Sequence, residues 1–336
     1  MFGKRSFHLP SRLKSSYLRG RIITTIIIFF VVYVINFIIP HLEPGSVLAA
    51  VGSSNLLPAQ RTQLLQMLGL NQSLSQQFLE YVRDTFLTFP PNFGISFAHY
   101  PIPVWTLVSV ALPWTLLLVG ISQAISWSLG VLLGAWLAWH RGSKADSAML
   151  GVSNFMWGVP SYWLATILIF VFAIKLKVFP PALSTSGVLT GFTFAQVENI
   201  LFHSFLPIFT LVILNLPVYA LVMRNTMVGV LQDDFMRAAE LRGLKSRTLM
   251  LGHAARNALL PSITNLALGF GAILSGAYLV EIIYSYPGMG YLIEQSALAR
   301  DYPVLEAIFF FSAMLVLIAN FLADIAYTLL DPRVEY

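Results

Sequence analysis

The 336-residue chain contains no cysteine, and only 10% of its residues are charged. The absence of cysteine excludes disulfide bonds, thiolate metal sites and cysteine nucleophiles. The charged fraction is far below the roughly 25% that is usual in soluble domains. Hydrophobic residues make up 57% of the chain, and its mean hydropathy is +0.74. A soluble fold cannot bury this much apolar surface, so the composition indicates a membrane protein.

Signatures of nucleotide binding and of hydrolysis are also missing. The sequence contains no G-x-x-x-x-G-K-[ST], no H-E-x-x-H and no G-x-S-x-G. Its six histidines are scattered, without a pair at metal-ligand spacing. We therefore expect no catalytic residue, no metal site and no cofactor in this chain. If it takes part in powered transport, the energy must come from another subunit.

Six stretches are apolar and approach or exceed the roughly 20 residues that a helix needs to cross the hydrocarbon core. They cover residues 22–40, 112–139, 150–174, 206–230, 261–283 and 305–330. The first is longer than the 7–15 apolar residues of a usual signal peptide, so we expect a retained helix. The sequence thus predicts an all-α membrane protein with six transmembrane helices.

The positively charged residues divide unevenly between the two sides of these six spans. One side holds 15 of the 20 lysines and arginines: Lys4, Arg5, Arg12, Lys14, Arg19, Arg21, Arg141, Lys144, Arg224, Arg237, Arg242, Lys245, Arg247, Arg256 and Arg333. Because cytoplasmic loops are enriched in these residues, we expect both termini, segment 1–20 and loop 232–260 in the cytoplasm. This placement accounts for the net charge of +5 without a nucleic-acid partner.

The longest segment on the opposite side, residues 42–103, carries two patterns of helical periodicity, at 57–70 and 74–87. We expect two short amphipathic helices that cover the outer ends of the spans. They could form a docking platform for an external partner or a structural lid, and the residues leave both interpretations open.

The predicted spans contain small residues at close helical spacing and very few ionisable groups. Gly130, Gly134 and Ala138 recur every four residues, a pattern that favours close helix packing or, alternatively, a subunit interface. Glu281, Asp324 and Arg224 lie near span ends. An ion-coupled carrier or a charged selectivity ring usually needs ionisable groups at depth. Their scarcity disfavours a secondary carrier or channel that works alone, which remains the alternative function.

A polar module interrupts the apolar chain between the fourth and fifth predicted spans. Asp233 or Asp234 is suited to cap a helix, Gly243 to end it in a left-handed turn, and Ser246 to start a second helix before Pro261. Helical spacing places Phe235, Ala238, Ala239 and Arg242 on one face. One aromatic knob beside small residues favours docking into a groove on another protein, although an ordinary loop is the alternative.

These residues resemble a known family. The stretch DFMRAAELRGL at 234–244 is similar to the EAA loop of bacterial and archaeal ABC-importer permeases, and HAARNALLP at 253–261 to their oligopeptide/dipeptide branch. Further similar stretches are LGL at 68–70, FGISF at 93–97, EIIYSYPGMGYL and RDYP between 281 and 303, and LDPRV at 330–334. The resemblance covers nearly the whole chain. It departs at Arg237, where the EAA motif has Glu, and at 44–47, where PGSV stands in place of PGDP.

The resemblance implies a type I ABC-importer permease fold over residues 21–336 and a multi-pass subunit of a prokaryotic inner or plasma membrane. It implies a second homologous permease as heterodimer partner, two cytoplasmic ATPase subunits that bind ATP and Mg²⁺, and an external substrate-binding protein. The resemblance therefore implies ATP-driven import of oligopeptides or oligosaccharides. Other members of this branch carry nickel complexes. The substrate and the residues lining its path stay unknown.

The resemblance also implies that the EAA loop docks on an ATPase subunit. Phe235 would be the knob, Ala238 and Ala239 the contact face, and Gly243 the turn. The matching positions as a set are Phe235, Met236, Ala238, Ala239, Glu240, Leu241, Arg242, Gly243 and Leu244.

Overall fold

The computed structural model describes residues 15–42, 71–182 and 193–330, with side chains over 20–39, 71–182, 193–266, 269 and 277–322. These ranges fold into α1 (Ser15–Leu42), α2 (Leu74–Phe86), α3 (Val104–Trp139), α4 (Lys144–Trp157), α5 (Ser161–Leu168), α6 (Phe194–Val230), α7 (Asp234–Leu241), α8 (Arg256–Ile283), α9 (Met289–Leu298) and α10 (Tyr302–Leu330). Two π-helical segments, π1 (Ile169–Lys175) and π2 (Thr248–Ala255), extend α5 and precede α8. The chain is therefore helical, as predicted.

Among the described residues, four helices are long and apolar enough to cross a membrane: α1 over Gly20–Ile39, α3, α6, and α10 over Tyr302–Leu322. The pair formed by α4 and α5–π1 adds a fifth span if it is counted as one, although the two parts meet at 103°. The predicted fifth span falls on α8, whose 28 residues rise about 42 Å at 1.5 Å per residue. The structure thus supports a multi-pass protein with four or five candidate spans in its described part.

The predicted span over 150–174 is broken in the structure, because the chain bends between α4 and α5. Pro160 lies at the break with extended backbone, at φ −64° and ψ 137°. Proline has no N–H to donate to the preceding turn, and it disfavours helical geometry in the residue before it. The apolar run continues through the break, so hydropathy alone could not reveal it.

Three other predicted spans begin too late in the chain. The helices α3, α6 and α8 start at Val104, Phe194 and Arg256 and carry Pro113, Pro207 and Pro261 inside them. Hydropathy marks the part of a helix that suits the bilayer core, whereas the hydrogen-bonded helix extends into more polar sequence. Proline inside a membrane helix is tolerated where neighbouring groups satisfy the released backbone. The prediction that Pro261 begins the fifth span is therefore wrong for the helix itself, which starts five residues earlier at Arg256.

The small residues of α3 form its contact with α6. A Cβ built on Gly130 would lie 2.6 Å from Cβ of Tyr219, and one built on Gly134 would overlap the carbonyl oxygen of Ala220. Only glycine therefore allows the two backbones to approach this closely. The interpretation of this pattern as helix packing within the chain is confirmed.

The helix α2 packs across α1 and α10 at one end of the spans. The rings of Tyr33 and Tyr81 stack with centroids 4.6 Å apart, and Tyr33 Oη donates a hydrogen bond to Oγ1 of Thr85 at 3.0 Å. Asn36 Nδ2 donates to the carbonyl oxygen of Glu306 at 2.7 Å. The second predicted amphipathic helix is thus confirmed and packs over this end of α1 and α10, while the first, at 57–70, lies outside the described residues.

Two buried carboxylates fix the loops at this same end. Asp301 accepts hydrogen bonds from the hydroxyl of Ser96 and from the backbone N–H groups of Phe97 and Ala98 at 3.0 and 3.1 Å. Glu281 accepts from Thr115 Oγ1 at 2.8 Å and from the N–H of Gly290 at 2.6 Å. The first carboxylate joins the FGISF stretch to the start of α10, and the second joins the end of α8 to the start of α9.

Candidate functional site: the α7 surface

The helix α7 begins and ends where its sequence predicts. Asp233 occupies the N-cap position, although its side chain accepts no capping hydrogen bond. At the other end Gly243 adopts φ +72° and donates its N–H to the carbonyl of Glu240 at 2.8 Å. This left-handed conformation is readily reached only by glycine. The predicted glycine stop is therefore confirmed.

The segment after this turn does not form a separate second helix. The chain turns helical at Ser246 and the N–H of Thr248 bonds to the carbonyl of Lys245 at 2.9 Å. It then passes through π2 directly into α8. The expected helix–turn–helix module is thus one short helix followed by an extension of the next long one. Any displacement of π2 must consequently be shared by α8.

One side of α7 is buried against the chain itself. Met236 and Ala239 are 2% and 6% exposed and belong to a cluster that also joins the ends of α3, α6, π2 and α8. We call it the α7 cluster; its members are Ala135, Ala138, Met223, Met227, Met236, Ala239, Leu249, Ala254, Ala255 and Ala258. Six of these ten are alanines, which let the helix ends approach closely. The cluster connects α7 to these four elements, with its most extensive direct contact to π2.

The opposite side of α7 faces away from the chain. Leu241 is 90% exposed, and Phe235 and Leu244 are 41% and 37% exposed. The other exposed positions of the predicted set are Ala238, Glu240, Arg242 and Gly243. Several exposed large apolar side chains within one short segment are typical of an interaction surface. We call these seven residues the α7 surface.

The assignment of Ala239 to this surface is a correction. Sequence spacing placed Ala239 with Phe235, but residues four apart on a helix differ by about 40° in direction. The boundary between the buried and exposed sides falls within that angle, so Ala239 points inward beside Met236. Both residues support the α7 surface from below rather than forming part of it.

Charges of both signs lie on the α7 surface and around it. Arg237, Arg242, Lys245 and Arg247 are exposed, as are Asp233, Asp234 and Glu240. Arg237, which stands where the EAA motif has Glu, therefore lies in solvent and buries no charge in this chain. The difference from the motif leaves the internal packing of α7 unaffected and changes only the charge that a partner would meet.

An ion pair close to this site was missed by sequence reasoning. Nε and Nη2 of Arg224 on α6 donate to Oδ1 and Oδ2 of Asp146 on α4 at 2.9 and 2.7 Å. The sequence places Arg224 near a span end but indicates no partner for it. The available signal was an acidic residue, Asp146, three positions after the capping Ser143 and on the same predicted side of the membrane.

Polar contacts also join the middle of the long helices. Tyr219 on α6 donates to Oε1 of Gln123 on α3 at 2.8 Å, and Trp127 Nε1 donates to Oγ of Ser262 on α8 at 3.1 Å. All four residues lie inside the helical core or at its margin. The contacts tie α3, α6 and α8 together, but they do not assign residues to a substrate path.

Comparison with known proteins gives the family context of this site. The family model described as "Binding-protein-dependent transport system inner membrane component" matches residues 130–336, a range that includes the whole α7 surface. The chain is 32% identical over 322 residues to the oligopeptide transport system permease protein AppB of Bacillus subtilis, covering 96% of this chain and 100% of that protein.

Two further relatives carry similar names. The di/tripeptide transport system permease protein DppB of Pseudomonas aeruginosa is 33% identical over 340 residues, with 96% of this chain and 99% of that protein covered. The dipeptide transport system permease protein DppB of Escherichia coli is 29% identical over 326 residues, with 92% and 95% covered. The similarity thus extends over nearly the whole chain, as the sequence motifs predicted.

The family match and the full-length similarity agree with the apolar helices, the EAA-like helix and the outer loops of the structure. They confirm a multi-pass inner membrane protein that serves as a transport component and not as an enzyme. The chain belongs to the family of binding-protein-dependent transport system inner membrane components, the permease subunits of ABC importers.

Proposed function

We propose that this chain pairs with a second, homologous permease to form the membrane path of an ATP-driven peptide importer. Each permease would bind one of two ATPase subunits through its α7 surface. An external binding protein would deliver the substrate. ATP and Mg²⁺ would be bound by the ATPase subunits alone. The observation that carries the proposal is the exposed apolar α7 surface. It lies within the EAA-like sequence and rests on the buried α7 cluster.

The arrangement of α7 suits the transfer of mechanical work. Because Met236 and Ala239 belong to one packed cluster with residues of α3, α6, π2 and α8, a partner that pushes on α7 also pushes on these elements through the cluster. Packed elements of this kind move as rigid bodies between discrete states. ATP-driven approach of the two ATPases would then switch the path between outward-facing and inward-facing forms.

The proposed topology has six membrane spans, with α8 and the bent α4–α5 pair included, and both termini in the cytoplasm. Residues 1–20 would form a cytoplasmic segment ahead of the permease domain at 21–336. Segment 42–103 would lie outside and loop 232–260 in the cytoplasm. The positive charges support this orientation, since Arg242 lies on the α7 surface and Arg237, Lys245 and Arg247 lie beside it.

Peptides are the proposed substrates because the relatives over the whole chain are named as oligopeptide, di/tripeptide and dipeptide permeases. No feature of the described residues favours oligosaccharides over peptides. A carrier working alone would leave the exposed Leu241 and Phe235 on a cytoplasmic loop without a partner.

Replacement of Leu241 by Asp tests the docking role. Leu241 is 90% exposed, so the change should leave the fold intact while it places a charge in the centre of the interface. We expect the ATPase subunits to copurify poorly with the permease pair and peptide uptake by proteoliposomes to fall at least about tenfold, since burial of an unpaired charge costs several kcal/mol.

Leu298→Asp is the matched control. Leu298 ends α9 and is 82% exposed, but it lies at the opposite end of the spans. This variant should retain the ATPase subunits and most of the uptake. Equal retention of the ATPases by both variants would refute docking at the α7 surface.

A further inference from the structure

The helix α4 is attached to the rest of the chain mainly by polar contacts. Only Asp146 and Ser153 are buried among its 14 residues, whereas Phe155 and Trp157 are 63% and 84% exposed. The helix packs chiefly against α6. Because little apolar surface of α4 is covered by its own chain, hydrophobic packing within the chain does not fix its position.

The ion pair between Asp146 and Arg224 provides the missing attachment. Its two parallel hydrogen bonds, at 2.9 and 2.7 Å, occupy both carboxylate oxygens, and the side chains of Asp146 and Arg224 are 4% and 15% exposed. The N–H of Gly142 also donates to Oδ2 of Asp146 at 3.0 Å. Such a bidentate pair fixes direction as well as distance, so α4 is held to α6 in one orientation.

Arg224 lies in the part of α6 that supports α7. Its neighbour Met223 and Met227 one turn later are fully buried in the α7 cluster, against the same group of side chains as Met236 and Ala239. Only three residues separate the end of α6 at Val230 from the start of α7 at Asp234. A displacement of α7 therefore reaches this end of α6 through both packing and the connecting backbone.

We propose that the Asp146–Arg224 ion pair is a positioning link that makes α4 move together with α7. The proposal rests on the proposed function, in which α7 is where the ATPase acts. Motion of α7 passes through the α7 cluster to α6 and through the ion pair to α4. The break at Pro160 lets α4 turn, while Leu164, Ala165 and Leu168 keep α5 packed in the core.

The link explains why an acidic residue, Asp146, lies in the first turn of the bent pair. A span end held by apolar packing could slip along α6, since dispersion contacts have no strong direction. A bidentate ion pair resists both slipping and rotation. The first half of the bent pair thereby becomes a lever whose angle follows the end of α6.

Spin labels can follow this lever, because the chain contains no native cysteine. Gly151 on α4 and Gly229 on α6 are exposed, and a Cβ added at either position meets no atom within 4 Å. Nitroxides on Gly151→Cys and Gly229→Cys would report the distance between the two helices. The measurement uses the complete complex of both permeases and the ATPases in nanodiscs, without nucleotide and with ATP bound to a hydrolysis-deficient ATPase.

With the ion pair intact we expect one narrow distance distribution that is the same in both nucleotide states. Asp146→Asn, which keeps the side-chain shape but removes the charge, should broaden the distribution and make it depend on nucleotide. Lys144→Gln removes a charge from the exposed start of the same helix and should behave as the native chain does. Arg224→Lys keeps the positive charge but loses the bidentate guanidinium, so it should give a distance distribution of intermediate width. This variant replaces Asp146→Asn in the experiment if the Asp146→Asn complex does not assemble.

Transport supplies a second readout that a merely structural pair would not change. In proteoliposomes loaded with binding protein and a radiolabelled digest of peptides, Asp146→Asn should raise the ATP hydrolysed per peptide imported by about threefold or more, in line with typical coupling energies. Lys144→Gln should leave this ratio unchanged.

Two results would overturn the link. One is a native distance between α4 and α6 that changes by several ångströms with nucleotide. The other is an Asp146→Asn complex with an unchanged ratio of ATP to peptide, whatever its distance distribution. Failure of the proposed docking would appear elsewhere, as retention of the ATPases by Leu241→Asp, so the two hypotheses fail separately.

Discussion

Ala238 and Ala239 are identical neighbours in sequence, yet the structure gives them opposite environments. Ala239 is 6% exposed and packs in the α7 cluster, whereas Ala238 is exposed. A sequence motif that contains both cannot distinguish the residue that supports the surface from the residue that forms it. Position on the helix, fixed by contacts with distant α3 and α6, makes that distinction.

Substitution of each alanine by Trp separates the two roles. Ala239→Trp should overpack the α7 cluster and destabilise the permease by about 1–3 kcal/mol, seen as a lower midpoint of thermal unfolding in detergent. Ala238→Trp should leave that midpoint unchanged and weaken copurification of the ATPases, because the ring obstructs the α7 surface. Each variant is the control for the other, and equal unfolding midpoints would contradict the assignment of sides.

Among the helices, the success of sequence reasoning depended on how local the cause of each feature is. The end of α7 at Gly243 was predictable because a left-handed turn requires a particular residue at one position. The apolar pattern continues through the break at Pro160 and gives no sign of it, whereas the proline itself is compatible with a bend there. The ion pair of Asp146 and Arg224 joins residues 78 positions apart, and no periodicity relates them.

The stretch EIIYSYPGMGYL, which carries part of the family resemblance, contains residues that contact one another in the structure. Glu281 on α8 accepts the N–H of Gly290 in the first turn of α9, and a Cβ built on Gly288 or Gly290 would collide with the Glu281 carboxylate. Oγ1 of Thr115 accepts the N–H of Met289 at 2.7 Å while donating to the same carboxylate. The glutamate and the two glycines are therefore parts of one contact that seats α9 on α8 and α3.

Replacement of Glu281 by Gln should loosen α9 selectively. The amide keeps the size of the side chain but cannot accept on both of its terminal atoms, so a buried N–H or hydroxyl loses its partner at a cost of about 1–3 kcal/mol. We expect amide hydrogens in α9 to exchange at least about tenfold faster, measured by mass spectrometry of the intact complex. Glu294→Gln, on α9 itself and only partly buried, should not change these rates; faster exchange in both variants would contradict a specific role of Glu281.

For the whole molecule, burial identifies α6 as the centre of the bundle and α1 as its periphery. Half of the most apolar window of α6 is buried within the chain, compared with 17% of that of α1. The large side chains Ile23, Ile26 and Ile39 of α1 are 57–59% exposed, which suits contact with lipid. Motion of α7 would thus be passed first to α6, the most buried of the candidate spans. The helices α3, α8 and α4, which contact α6, would move with it.

The same arrangement predicts the orientation of the chain in the membrane. Single cysteines at Leu241, which is 90% exposed, and at Leu298, which is 82% exposed, should both be accessible to a reagent in their own compartment. Because the positive charges cluster around α7, a membrane-impermeant maleimide applied to spheroplasts should label Leu298→Cys directly. It should label Leu241→Cys only after the membrane is permeabilised.

Cysteines at Phe2 and Tyr336 extend the test to both termini, which we expect to behave like Leu241→Cys because six spans return the chain to the side on which it began. External labelling of one terminus alone would require an odd number of spans. It would mean that either α8 or the bent α4–α5 pair does not cross the bilayer, whereas external labelling at Leu241→Cys would exclude docking of a cytoplasmic ATPase on α7.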